Sequence, residues 1–141
     1  MKEVRQVLYV TEATALGGRD GGVRTSDGRL DLSLDMPTEL GGSGGPGTNP
    51  EQLFASGYAG CFLEALKAAA RSESVSIANP TVSAQVGIGS TDDGFGLQIQ
   101  LTVGLPGLDS AVGQLLVNSA HDQCPYSRAT RGNIRVDVRL A

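Results

Sequence analysis

An α+β fold is predicted, with antiparallel strand meanders around a central buried helix. Three observations carry it. In "TNPEQLFASGYAGCFLEAL", the stretch from Leu53 to Leu63 has no charge and is apolar around its whole circumference, which marks a helix enclosed on every side. Short alternating runs with glycine-rich turns lie before and after it, as strands do. The order is strands, helix, strands, helix, strand, which favours segregated α+β layers over a doubly wound parallel sheet. The 141 residues are expected to form a single domain, 1–141, because a chain of this length buries a core without a disulfide or metal staple.

Taken in order, "RQVLYVTEATAL" is rich in β-branched and aromatic residues and reads as a strand. "GGRDGGVRTSDGRLDLSL" adds glycine pairs and an Asp27-Gly28 turn, and Leu30, Leu32 and Leu34 alternate with polar residues, so about three strands form a meander. "GGSGGPGT" is a loop by composition and reads as a mobile connection. It lacks the Lys-Ser/Thr ending of a phosphate-binding loop. The long helix follows. Thr48 or Asn49 caps it, Pro50 takes its first position and Glu51 lies where the helix dipole favours a negative charge. Gly57 and Gly60 each cost about 1 kcal/mol against alanine, which makes sense where another backbone or a substrate comes close.

After Asn79-Pro80, "TVSAQVGIGS" and "GFGLQIQLTVGL" flank the hairpin turn "TDDG". "DSAVGQLLVNSAHDQC" is a second helix, capped by Asp109 or Ser110, with Val112, Leu115, Leu116 and Ala120 as its apolar side. "NIRVDVRL" closes the chain as a strand with Ile134, Val136, Val138 and Leu140 on one face.

A net charge of -4 and a sequence pI near 4.8 disfavour nucleic acid and anionic membranes as partners. The longest apolar runs fall short of the roughly 20 residues of a membrane span, and "MKEVRQVLYVTEA" lacks the apolar core of a signal peptide. A cytoplasmic protein is expected.

The chain has two cysteines, Cys61 inside the long helix and Cys124 just after the second. In a reducing compartment a permanent bridge is disfavoured. Inert core thiols, a cycling pair and part of a metal site stay open. A buried, unassisted thiol is held protonated and inert, so reactivity requires a nearby cation. Arg19, Arg24, Arg29, Arg128 and Arg131 are the candidates, and Arg19 stands out in the glycine-flanked "GGRDG". A structural zinc site wants about four ligands, and one histidine, His121, with two cysteines falls short. A Ser-His-Asp hydrolase would need the same His121, and no Gly-x-Ser-x-Gly elbow is present.

"GGRDG", "TNPEQLFASGYAGCF" and "CPYSRATRGNI", in that order, resemble the organic hydroperoxide resistance proteins, the thiol peroxidase branch of the Ohr/OsmC family. The resemblance spans nearly the whole chain. It implies an α+β intertwined homodimer without metal or organic cofactor. Cys61 matches the family's peroxide-attacking cysteine and Cys124 its resolving cysteine. Arg19 and Glu51 match its active-site ion pair. The implied activity is reduction of organic hydroperoxides to alcohols through a Cys61 sulfenic acid and a Cys61-Cys124 disulfide, recycled by dihydrolipoyl groups on lipoylated proteins. Leu53, Phe54, Phe62 and Tyr126 would line the substrate site with apolar surface. A redox sensor that signals through its disulfide to a partner is the alternative of another class.

Glu51 and Cys61 are ten residues apart, which on a straight helix is roughly 15 Å of rise and places them on different sides. Antiparallel packing of two such helices would bring one chain's Glu51 beside the other's Cys61. A shared site is therefore expected, with Cys61 and Cys124 from one chain and Glu51 and Arg19 from the other.

Overall fold

The computed structural model describes residues 2–141. The chain divides into two compact units, one ending at Pro50 and the other Glu51–Ala141. The first holds β1 (Ala13–Leu16), β2 (Gly22–Thr25) and β3 (Asp31–Ser33), an antiparallel sheet in the order β1-β2-β3. The β2-β3 turn is locked by Asp27, whose carboxylate accepts from the Thr25 hydroxyl at 2.7 Å and the Arg29 backbone N–H at 2.9 Å. These two bonds hold its pKa below the usual carboxylate value, the backbone bond more strongly.

Two expectations for this unit change. Residues 2–12 form no strand, and Val7, Leu8, Tyr9 and Val10 are exposed. Strand propensity expresses itself only against a neighbouring strand, and the β1 ladder to β2 begins at Ala13. The glycine-rich stretch is not a loose spacer. Its end is tied back by Gly47 N–H, which donates to Asp35 at 2.5 Å, and by the parallel bridge Leu34–Thr48.

In the second unit, α1 (Pro50–Ser72), α2 (Ser110–Gln123) and α3 (Pro125–Thr130) accompany β4 (Thr81–Thr91), β5 (Gly94–Gly104) and β6 (Val136–Leu140). β4 and β5 form an antiparallel hairpin registered from Thr81↔Gly104 to Thr91↔Gly94, closed at Asp92-Asp93 as "TDDG" predicts. β6 runs parallel to β5, with Ile99 opposite Val136 and Val103 opposite Leu140. This pairing departs from the antiparallel meanders expected. The physical reason is the crossover: α2 and α3 lie between the two strands and return the chain to the same end of the sheet.

The core of this unit lies between α1, α2 and the sheet. Tyr58, Phe62, Leu66 and Ala70, spaced one turn apart, form the buried stripe of α1. They meet Ile99, Leu101 and Val103 of β5 and Leu116, Val117 and Ala120 of α2. Each fully buried Phe or Leu contributes about 1.5–3 kcal/mol. Asp109 caps α2 by accepting from Val112 N–H at 3.3 Å. The buried side of α2 is Gly113, Leu116, Val117 and Ala120, whereas Leu115 is exposed. The opposite stripe of α1, at Gln52, Ser56, Gly60 and Glu64, is exposed in the single chain. One chain thus encloses α1 on one face, where burial on every side was expected.

Candidate active site

Cys61 sits in the middle of α1, half-buried, and Cys124 is fully buried at the junction of α2 and α3. The junction follows from sequence. Pro125 cannot continue α2 but suits the first position of a new helix. Cys124 therefore ends one helix, with its N–H bonded to Ala120 O at 2.8 Å, and starts the next, with its carbonyl accepting from Arg128 N–H at 2.9 Å. This brings the two sulfurs, 63 residues apart in sequence, to 3.7 Å, with the Cys124 thiol donating toward Cys61.

Burial pushes the Cys61 thiol above its ordinary pKa. Cys124 beside it adds to the rise, because two thiols this close do not both ionise. The backbone N–H of Tyr126 pulls the other way by bonding the sulfur. Within this unit the Cys61 thiol is therefore held protonated, and its use as a nucleophile calls for a cation.

Tyr126, whose backbone N–H bonds the Cys61 sulfur, packs with two further aromatic rings. Phe54 meets Tyr126 edge-on at 6.2 Å between ring centroids, and Tyr58 lies 5.7 Å from Tyr126. Gly57 makes room for this seat, since a Cβ there would come within 2.9 Å of Tyr126 Oη. Phe54 and Tyr126 also line a cavity of about 810 Å³ with Leu97, Pro125, Ala129 and Ile134. Leu53 is half-buried on α1, and Phe62 is wholly buried in the core, its ring 6.4 Å from that of His121.

Arg19 belongs to the first unit, half-buried in the 3-10 turn Gly18–Asp20. The turn is possible only with glycine at its exit, because a Cβ on Gly21 would lie 1.7 Å from Leu16 O. Glu51 is half-buried in the first turn of α1. Of the predicted residues, the structure thus brings Cys61, Cys124 and Tyr126 together and sets Phe54 against the Tyr126 ring. Three buried residues beside the thiols were not singled out from sequence: Tyr58, Ser127 and Thr130. Their signal was helical spacing, Tyr58 lying three residues before Cys61 and Ser127 three after Cys124. His121, weighed as a zinc ligand and a triad base, instead pairs its Nδ1 with Ser127 Oγ at 2.8 Å. Among the described residues no group of three His, Cys, Asp or Glu side chains is placed to hold a metal ion.

The family model of OsmC-like proteins matches residues 41–139. The chain belongs to the OsmC-like family. Within that family several of its relatives are named organic hydroperoxide resistance proteins. One from Xanthomonas axonopodis pv. citri is 50% identical over the full length of both chains. Two solved structures agree. An organic hydroperoxide resistance protein OsmC from Legionella pneumophila is 43% identical with a TM-score of 0.92, over 96% of this chain and 99% of that one. OhrB of Bacillus subtilis is 42% identical with a TM-score of 0.89, over 96% and 100%. The α+β fold predicted from sequence is the fold of these OsmC-like proteins, and the resemblance to their organic hydroperoxide resistance branch holds.

Among the described residues no helix of this OsmC-like chain is long and apolar enough to cross a membrane.

Proposed function

We propose that the chain, acting as one OsmC-like domain over 1–141, is a thiol peroxidase that reduces organic hydroperoxides to alcohols in the cytoplasm. The observation that supports this most is the 3.7 Å approach of Cys61 and Cys124, a half-buried thiol facing a fully buried one. The names of its relatives, organic hydroperoxide resistance proteins, point the same way.

In this reading the Cys61 thiolate attacks the peroxide O–O bond. The distal oxygen joins the sulfur, the O–O bond breaks, and the alkoxide leaves as an alcohol after taking a proton. The resulting sulfenic acid condenses with the Cys124 thiol, forming a disulfide and releasing water. A dithiol then reduces the disulfide, and dihydrolipoyl groups on lipoylated proteins are the proposed donor. Arg19 would supply the cation that Cys61 needs, oriented by Glu51 through paired charge-assisted bonds. Leu53, Phe54 and Tyr126 would hold the alkyl part, with Phe62 packed behind them. Each substrate CH₂ buried there contributes about 0.8 kcal/mol, which would favour alkyl hydroperoxides over hydrogen peroxide. The active species is proposed to be an intertwined homodimer, in which a second copy covers the exposed stripe of α1 and the strand-like residues 5–10.

The deciding experiment is steady turnover of cumene hydroperoxide with lipoylated protein, thioredoxin or glutathione as reductant. Sustained turnover with the lipoylated donor, lost in Cys61→Ser, is expected. A single oxidation with no turnover under any reductant would instead favour a redox sensor. Turnover persisting at the parent rate in Cys61→Ser would remove Cys61 from the chemistry.

A further inference from the structure

A line of hydrogen-bonded side chains beside the two sulfurs has no part in the chemistry above. Ser127 Oγ, fully buried, lies 2.7 Å from Tyr58 Oη and 2.8 Å from His121 Nδ1. Tyr58, equally buried, also reaches toward Thr130 Oγ1 at 3.5 Å. Thr130 donates back to the carbonyls of α3, with Tyr126 O and Ser127 O each at 3.1 Å. Tyr58 precedes Cys61 by three residues, His121 precedes Cys124 by three, and Ser127 follows it by three. One serine hydroxyl therefore ties α1, α2 and α3 together within a helical turn of both thiols.

A serine hydroxyl has a single proton, so it donates to one neighbour and accepts from the other. Removing either partner leaves the buried Ser127 hydroxyl with one of its two bonds unmade, which costs stability. Aromatic packing between α1 and α3 tolerates small slides, whereas two short directional bonds do not. Their combined effect is to fix where α3 begins, and Cys124 is the residue at which it begins.

We propose that Tyr58, Ser127 and His121 are positioning residues for the resolving step, holding Cys124 aimed at the sulfur of Cys61. The proposal rests on the thiol peroxidase reading. In that step the Cys124 thiolate attacks the Cys61 sulfenic sulfur. The S–S bond forms, the S–O bond breaks, and the departing hydroxide takes a proton to become water. The sulfurs need close by only about 1.7 Å from their present separation. The competing reaction is a second hydroperoxide, which turns the sulfenic acid into a sulfinic acid and leaves as an alcohol. Intramolecular attack outruns it when the thiol is already aligned. The first attack does not depend on the network in this way, because Cys61 is carried by the continuous backbone ladder of α1.

The test separates the two steps in a single turnover of the reduced full-length protein with cumene hydroperoxide, quenched with a thiol-blocking reagent and read by mass spectrometry. Tyr58→Phe and Ser127→Ala are expected to consume the first equivalent of peroxide no more slowly than the parent. They should form the Cys61-Cys124 disulfide roughly tenfold more slowly. Sulfinic acid should build up on Cys61 at peroxide doses the parent survives. His121→Asn, whose amide takes the place of Nδ1, should restore disulfide formation that His121→Leu loses, which a merely structural role would not predict. Tyr58→Phe keeps the ring and its packing, so it decides the matter if Ser127→Ala folds poorly. Disulfide formation at the parent rate in Tyr58→Phe would overturn the proposal while leaving the peroxidase reading intact, as would an equally slowed first step. A parent protein that consumes no hydroperoxide would overturn the peroxidase reading, and this proposal with it.

Discussion

Cys61 faces two opposed demands. In the proposed reaction its apolar surroundings would suit an alkyl hydroperoxide, yet the same burial, with Cys124 alongside, raises its pKa and so disfavours the reactive thiolate. If Arg19 supplies the missing charge, Arg19→Ala raises that pKa further, and each added unit removes about tenfold of the thiolate at neutral pH. Alkylation rates of Cys61 across pH measure this, and an unshifted profile would take Arg19 out of the site. His121 makes a second prediction. Burial, helped by the nearby Arg131 and opposed by Asp122, holds its pKa below the ordinary imidazole value. The folded state therefore favours the neutral ring. Its contribution to stability is present above about pH 6.5, the unfolded value, and is lost as pH falls through the lower folded value. Thermal melts from pH 8 to 5 should show the parent losing more stability than His121→Asn over that range.

At the scale of elements, the site depends on where α3 lies against α1. Gly57 sets that distance through Tyr126, whose Oη would be 2.9 Å from an added Cβ. Two effects compete in Gly57→Ala. Alanine gains about 1 kcal/mol of helix propensity, while the Tyr126 ring must swing aside, which its partial exposure of 39% allows. The expected result is a melting temperature within a few degrees of the parent and a raised KM for cumene hydroperoxide, because the aromatic wall is displaced. A melting temperature lowered by 10 °C or more, about 3 kcal/mol for a chain of this size, would mean that Tyr126 cannot move. Most elements were legible because their signals are local: the cap and periodicity of α2, the Asp92-Asp93 hairpin and the alternation of β6. α3 was not, since six residues beginning with a proline carry too little periodicity to separate a short helix from a turn. The exposed Leu115 shows the same limit, because two overlapping apolar stripes on α2 fit the sequence and only the sheet chooses between them.

For the whole molecule, the proposed homodimer would cover the exposed α1 stripe. Outside its own helix backbone, Gly60 has no atom within 4 Å of where its Cβ would stand, so no close approach inside this chain explains its conformational cost. Close approach of a second α1 would explain it. A site shared across a two-fold axis predicts that Cys61→Ser chains mixed with Glu51→Ala chains, each inactive alone, regain turnover in mixed dimers with one intact site. Absence of recovery after proven subunit exchange would place each site within a single chain.

From the sequence alone came the fold class, the long helix and its start, the hairpin, the closing strand and the two cysteines as the centre of interest. These rest on short-range periodicity, capping and turn chemistry, together with motifs long enough to be specific. Only the tertiary structure decided that the cysteines meet at 3.7 Å, that β6 pairs parallel to β5, and that Ser127 links Tyr58 to His121. Spacing along the chain says nothing of which helix faces cross, and a contact between residues 63 or 69 positions apart exists only once the core has set the distance between α1 and the α2-α3 junction.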